Sequence, residues 1–227
     1  VTSAETREIE GVEVPVVRLE ISAVSHPFWT GTMRELETGR LPTYSSRFMA
    51  EWVGNDLYFA IRCEEPPGGD LNIATEKDGD QAIWYGDCIE IELATDAHSY
   101  YQLAINPAGA LVDIDRGAPG NQRFNWSSKA EVATTIAHDH WIVEVRLPTT
   151  KDENDPLNQI VGSKPTRSLP WFINVCRQRI RENGTEMSAF SPTGTGGFHA
   201  PMKFAHFYAG LSHEFPSNST VTDYIIT

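Results

Sequence analysis

The sequence predicts an all-β chain folded as an antiparallel β-sandwich. Three observations predict it. Eight or more short segments alternate apolar and polar residues, clusters of Gly, Pro, Asn and Asp separate them, and helical periodicity is almost absent. There is no repeat at a fixed period and no low-complexity stretch.

In chain order, Val12, Val14 and Val16 alternate around Glu13 and suggest an edge strand interrupted by Pro15. His26-Pro27-Phe28-Trp29 follows, then a polar loop through Pro42. The clearest hairpin runs from Phe48 to Val53, turns at Gly54-Asn55-Asp56 and returns from Leu57 to Glu64. Phe48, Ala50 and Trp52 on one arm and Leu57, Phe59 and Ile61 on the other are its expected core residues. A loop rich in Pro, Gly and Asp over 66–80 leads to Trp84-Tyr85, a turn at Gly86-Asp87 and a strand ending at Leu93. Tyr100 to Asn106 is the next strand, and Asn106-Pro107-Ala108-Gly109 turns tightly into Leu111 to Asp115. After a Gly/Asn/Arg loop over 116–127, Ala130 to Ala137 and Trp141 to Leu147 form a second hairpin around His138-Asp139-His140, which Pro148 stops. A short helix is expected around Leu157 to Val161. Trp171 to Arg179 is the last long strand, Phe204 to Tyr208 closes the sheet, and nothing after Gly210 reads as core.

A chain of 227 residues can bury one good core, so a single domain over 1–227 is expected, with its core over about 12–208 and a tail over 209–227. The net charge of -13, from 31 acidic and 18 basic residues, argues against a nucleic-acid backbone or an anionic membrane surface as partner. No apolar run reaches the length needed for membrane insertion, and Val1 is followed by polar residues rather than by a signal peptide. Cys63, Cys88 and Cys176 lie far apart with no CxxC spacing, so zinc is not expected and at most one disulfide is possible.

Strand parity locates the candidate chemistry. If Ile89, Ile91 and Leu93, then Tyr101, Leu103 and Ile105, then Ile173 and Val175 face the core, the opposite faces carry Glu90, Glu92, Gln102, Asn106, Asn174 and Gln178. Amides and carboxylates match vicinal hydroxyls in fork geometry, and an aromatic plane packs against the C–H face of a sugar ring. Trp84, between a charged loop and a turn, is the candidate platform, whereas Trp52, Trp141 and Trp171 read as core. A solvated outer strand face is the competing explanation.

Asp78, Asp80, Asp87, Asp113 and Asp115 are calcium candidates by chemistry, although no EF-hand spacing is present and ordinary loop acids account for them simply. Glu90 and Glu92 are one strand step of about 7 Å apart. Side by side on one face, they do not flank a scissile bond as a glycosidase requires. No GxSxG-type nucleophile motif occurs. No catalytic residue is therefore assigned. Met49, Met187, Met202 and the histidines match no haem ligand pair by spacing.

The ordered motifs LYFAIRCEE, Trp84 with GDCIEIEL, YYQLAINPAG, HWIVEVRLP, WFINVCRQR and MKFAHF resemble the family 9 carbohydrate-binding modules from about Pro27 to Tyr208. The resemblance implies a jelly-roll β-sandwich that binds glucan or xylan chain ends without catalysis. It also implies a structural calcium ion and an extracellular or periplasmic setting beside a secreted carbohydrate-active enzyme. By motif, Trp84 resembles one wall of the family's aromatic slot, Glu90 its acid, and Asn106 and Asn174 its amides. Two positions depart from the pattern. Arg177 stands where a second slot Trp is expected, and Ala104 where a basic residue is expected. Arg177 is thus expected to form the other wall, to pair with Glu90, or to favour an acidic glycan. The alternatives are an interaction sandwich that has lost its slot, with Arg177 paired to Glu90 or Glu92, and a haem-binding relative.

Overall fold

A computed structural model describes residues 31–53 and 55–209, together with the backbone of three further strands at 5–9, 12–16 and 223–226. In chain order the strands are β1 (Glu5–Ile9), β2 (Val12–Val16), β3 (Gly31–Thr32), β4 (Arg34–Glu35), β5 (Ser46–Val53), β6 (Asp56–Glu64), β7 (Cys88–Ala94) and β8 (Tyr101–Ile105). They continue as β9 (Leu111–Asp115), β10 (Glu131–Ile136), β11 (His140–Pro148), β12 (Trp171–Arg181), β13 (Gly184–Ala189), β14 (Ala205–Ala209) and β15 (Asp223–Ile226). Regular helix is limited, among the described residues, to three short 3-10 turns at Gln81–Tyr85, Gly120–Asn125 and Pro201–Lys203.

Two sheets face each other. One has the order β10-β11-β6-β5-β3, and the other β15-β14-β12-β7-β8-β9, with β13 beside the second half of β12 and β4 beside β13. All the described pairings are antiparallel except β14 with β15, which run parallel. The architecture is an all-β sandwich. The β1–β2 pair forms a separate two-stranded sheet, and Pro15 sits in its register opposite Thr6.

Period-two alternation builds the core. Phe48, Leu57, Phe59, Ile61, Trp141, Val143, Val145 and Leu147 from one sheet meet Ile89, Ile91, Leu93, Leu103, Ile105, Ile173 and Val175 from the other, all in one contiguous buried cluster. Trp141 and Trp171 are buried, and Trp52 packs edge-on against Trp171 with ring centroids 5.5 Å apart. The three cysteines are buried free thiols.

Three expectations are corrected, and one strand was not foreseen. The 157–161 segment is turn and bend, because Asp155 accepts from the Asn158 backbone and side chain and leaves Leu157 exposed without an apolar helix face. The Gly/Asn/Arg loop contains the 120–125 turn. β14 is not the sheet's edge, since β15 lies outside it. β13, rich in Gly, Thr and Ser, carries too little apolar alternation to read as a strand, and register with β12 defines it. His26-Pro27-Phe28-Trp29 and residues 210–222 lie outside the described residues.

Candidate functional site

Over β7 and β8 the outer face of the second sheet is buried, not half-solvated. Every residue of β7 is buried, Glu90 is 2 % exposed and Glu92 0 %. The cover comes from the 81–85 turn, the 120–125 turn and the 190–203 segment, whose Ile83, Trp84, Phe124 and Phe198 pack onto Cys88, Ala104, Val112, Ile114 and Cys176. Trp84 remains partly exposed, while its neighbour Tyr85 is thrown outward.

These segments enclose a cleft of about 350 Å³, within the range of small-ligand sites. Trp84, Glu90, Arg116, Arg123, Phe124 and His199 are among its lining residues. A larger cleft of about 580 Å³ at the β12–β13 turn has Tyr44, Arg179 and Arg181 on its wall. There Arg179 already lies over the Tyr44 ring and both arginines pair with Glu65, so its chemistry is internal.

The smaller cleft is cross-linked at its floor. Trp84 Nε1 donates to Glu90 Oε1 at 2.7 Å, and Gln102 Nε2 donates to Glu90 Oε2 at 2.7 Å. Arg116 Nε donates to Gln102 Oε1 at 2.6 Å, and Arg116 Nη2 lies 3.0 Å from His199 Nε2. A guanidinium only donates, so His199 Nε2 is the acceptor and the imidazole is neutral. His199 Nδ1 lies 3.1 Å from Glu92 Oε1, while neither Glu92 oxygen receives a well-directed hydrogen bond.

Burial and like charge dominate the titration here. Desolvation, then the neighbouring Glu92, pushes Glu90 up to about 7, against the pull of His199 and Trp84. Desolvation likewise raises Glu92 to about 7, opposed by its contact with Glu90 and by Arg116. Two carboxyls forced together without water keep a proton that either would shed in solvent. Burial and then the Arg116 charge hold His199 below its ordinary range, with Arg123 acting in the same direction and Glu90 opposing.

The predicted site residues separate into two groups. Trp84, Glu90 and Gln102 come together in the cleft. Asn106 instead caps the turn before β9, donating to Thr75 O at 2.7 Å and accepting from the Ala108 and Ala110 amides, while Gly109 completes the turn at φ +88°. Asn174 is fully buried and clamps Ser191, exchanging two 2.9 Å hydrogen bonds with its backbone.

Arg177 lies on the opposite side of β12, 1 % exposed and between the sheets, so it neither walls the cleft nor pairs with Glu90 or Glu92. It donates to Tyr44 O, Ser46 Oγ, Glu64 O and, at 2.5 Å, to Glu65. Its parity with Ile173 and Val175 dictates that face.

Arg116, Arg123, Phe124 and His199 are among the cleft residues that were not foreseen. Arg116 follows Val112 and Ile114 at spacing two, a signal that continues β9's outer face. Arg123, Phe124 and His199 come from non-strand segments that carry no periodic signal.

The calcium candidates do not converge. Asp80 caps the 81–85 turn through Ala82 N and accepts from Thr75, Asp78 accepts from Leu111 N, Asp113 holds Ser128, and Asp115 holds His98 and Gly117. Among the described residues, the group of three acid or imidazole side chains close enough to share a metal ion is Glu90, Glu92 and His199. Arg116 against that imidazole opposes a cation there, so these residues do not fit a calcium site.

Gly86 ends the turn that carries Trp84. A Cβ at this position would collide with the Asn72 carbonyl oxygen and stand 2.9 Å from Ala74 N. Gly86→Ala is expected to cost about 1–3 kcal/mol, read as a lower denaturant midpoint; an unchanged midpoint would show that the 72–74 segment yields freely.

No family model matches the chain. Among curated proteins it is similar to the large ribosomal subunit protein bL31B of Acinetobacter baylyi, 45% identical over 49 residues, covering 21% of this chain and 60% of that protein. The bL31B of Psychrobacter cryohalolentis is 50% identical over 46 residues, covering 20% and 50% respectively. The chain thus spans 50% to 60% of the length of these curated relatives.

Among solved structures, a putative carbohydrate-binding protein from Bacteroides uniformis superposes with a TM-score of 0.57 at 15% identity, over 77% of this chain and 84% of that one. A family 9 carbohydrate-binding module from Caldicellulosiruptor kristjanssonii in complex with glucose gives 0.50 at 15% identity, over 82% and 87%. The same organism's module in complex with cellotriose gives 0.51 at 16% identity, over 85% and 88%. This chain shares the β-sandwich fold of these solved structures. More narrowly, it has the fold of the family 9 modules.

Proposed function

We propose that the chain is a non-catalytic carbohydrate-binding domain whose slot is the cleft beside Trp84. The observation that carries this reading is a partly exposed indole, fixed by its hydrogen bond to Glu90, on a cleft bordered by polar side chains. An oriented aromatic plane takes the C–H face of a sugar ring, and the surrounding donors take its hydroxyls.

The fold likeness, over 77% to 85% of the chain, supports the reading more broadly than the ribosomal match over about a fifth of it. The net charge of -13 also disfavours an RNA partner. Glucan and xylan ends, and an extracellular or periplasmic setting, belong to this proposal. Among the described residues no helix is long and apolar enough to cross a membrane. Adjacent placement of Glu90 and Glu92 on one strand favours binding over glycoside hydrolysis.

The test is calorimetry of the full chain against neutral and acidic oligosaccharides. Trp84→Ala is expected to lower affinity roughly thirtyfold, about 2 kcal/mol for a central aromatic anchor, with the thermal transition retained. Unchanged affinity in that variant would remove the slot assignment.

A further inference from the structure

The cleft collects positive charge on a chain that is otherwise strongly acidic. Arg116 and Arg123 both line it. Arg62, Arg146, Arg177, Arg179 and Arg181 are each ion-paired with a carboxylate. Arg116 and Arg123 form no such pair among the described residues. The hydrogen bonds of Arg116 go to neutral partners, the Gln102 carbonyl and the His199 imidazole. Arg123 lies over the Phe124 ring, 4.9 Å from its centroid, and its Nε is shielded from solvent with no hydrogen-bond partner.

The acid on the wall does not answer these cations. Both Glu90 oxygens are already taken, by Trp84 and Gln102, and the carboxyl is buried behind them. Guanidinium groups in a partly dehydrated cleft, with donors to spare and no carboxylate in ion-pair contact, leave charge to be met by the ligand, although the buried Glu92 acts on Arg116 from beneath.

We propose that the cleft selects a sugar bearing a carboxylate, a uronic acid, with its ring against Trp84 and its carboxylate met by Arg116 and Arg123. The proposal rests on the reading of this cleft as a carbohydrate slot and adds the charge of its ligand. A carboxylate is favoured over a neutral hydroxymethyl group because the planar fork of a guanidinium matches it with two parallel hydrogen bonds. The elevated proton affinity of Glu90 works in the same direction, since a partly protonated Glu90 repels an incoming anion less.

The experiment is calorimetry of the full chain with trigalacturonic acid and with its fully methyl-esterified form, which keep the rings and differ in charge. Cellotriose serves as an unrelated neutral probe and a sulfated trisaccharide as an anion of different geometry. The free acid is expected to bind at least about tenfold more tightly than its ester at low salt, with the advantage shrinking as salt is raised. Arg123→Ala, on the partly exposed 120–125 turn, is expected to remove most of that advantage with the thermal transition retained. Arg123→Lys should restore it only in part, because the charge returns without the fork.

Equal binding of acid, ester and cellotriose would overturn the charge selection and leave the carbohydrate slot standing. Preference for the sulfated probe over the uronic acid would overturn the carboxylate assignment. Binding of none of the four would overturn both proposals.

Discussion

Replacing Glu65 with alanine is expected to destabilise the protein by about 3–5 kcal/mol, the cost of stripping the counter-charge from a buried cation. Glu65 lies just past the end of β6, with its side chain 4 % exposed, and three arginines from β12 converge on it. Arg177 approaches to 2.5 Å, Arg181 to 2.9 Å and Arg179 to 3.0 Å. They alternate at spacing two, so all three guanidiniums leave the strand on the face that looks toward the other sheet. The cluster therefore ties the two layers together at one end of the sandwich, and Asp87 extends it by binding Arg181 at 2.7 Å.

Without Glu65, Arg177 keeps the Tyr44 and Glu64 carbonyls and the Ser46 hydroxyl. Those neutral acceptors satisfy donors but not the charge of a side chain 1 % exposed. In a domain of this size the loss corresponds to a fall of roughly 6–20 °C in the melting temperature. The double variant Glu65→Leu with Arg177→Met should recover much of it, because an apolar pair avoids the desolvation of both ions. A Glu65→Ala variant that loses under about 1 kcal/mol would mean that water enters the cluster and screens it.

This cluster also shows what was legible in the sequence. The sandwich and its inner faces follow from period-two alternation, which places Ile89, Ile91, Leu93, Ile173 and Val175 in the core where the structure has them. The same parity puts Arg177 on the inner face. Motif correspondence assigned it to the sugar slot instead, and the structure follows the parity. Trp84, Glu90 and Gln102 were legible because one strand and its neighbour fix their side.

The burial of the acids was not legible, because the cover is built from short turns and from the 190–203 segment, which pack by tertiary contact rather than by local pattern. Asn106 and Asn174 illustrate the same limit. An amide at a strand end serves a ligand or its own backbone, and only the position of Thr75 and of Ser191 decides that it serves the backbone here.

Glu92→Gln is expected to stabilise the protein above neutral pH and to flatten its stability between pH 4.5 and about 7. In the unfolded chain a glutamate releases its proton near 4.5, whereas in the folded protein Glu90 and Glu92 hold theirs to about 7. Across that window the folded state binds more protons than the unfolded state, so stability must fall as pH rises. The contribution is fully present below pH 4.5 and is lost as pH passes through about 7. At 1.36 kcal/mol per unit, one such carboxyl accounts for roughly 3 kcal/mol, or about 6–12 °C in melting temperature.

Glutamine keeps the shape of the carboxyl without the charge and offers an amide donor to its neighbour, so Glu90 is relieved of the like charge beside it. Arg116 and His199, which sit against the pair together with Trp84 and Gln102, then face one acid instead of two. The measurement is the melting temperature of wild type and variant from pH 4.5 to 8.5. Parallel curves would show that both carboxyls are ionised and solvated in the folded protein, contrary to their burial under the 190–203 segment. Converging curves at low pH, with the variant higher at pH 8, would show that the cleft floor stores a proton at neutral pH. That proton leaves Arg116 and Arg123 as the cleft's dominant charges at the pH where a sugar would meet them.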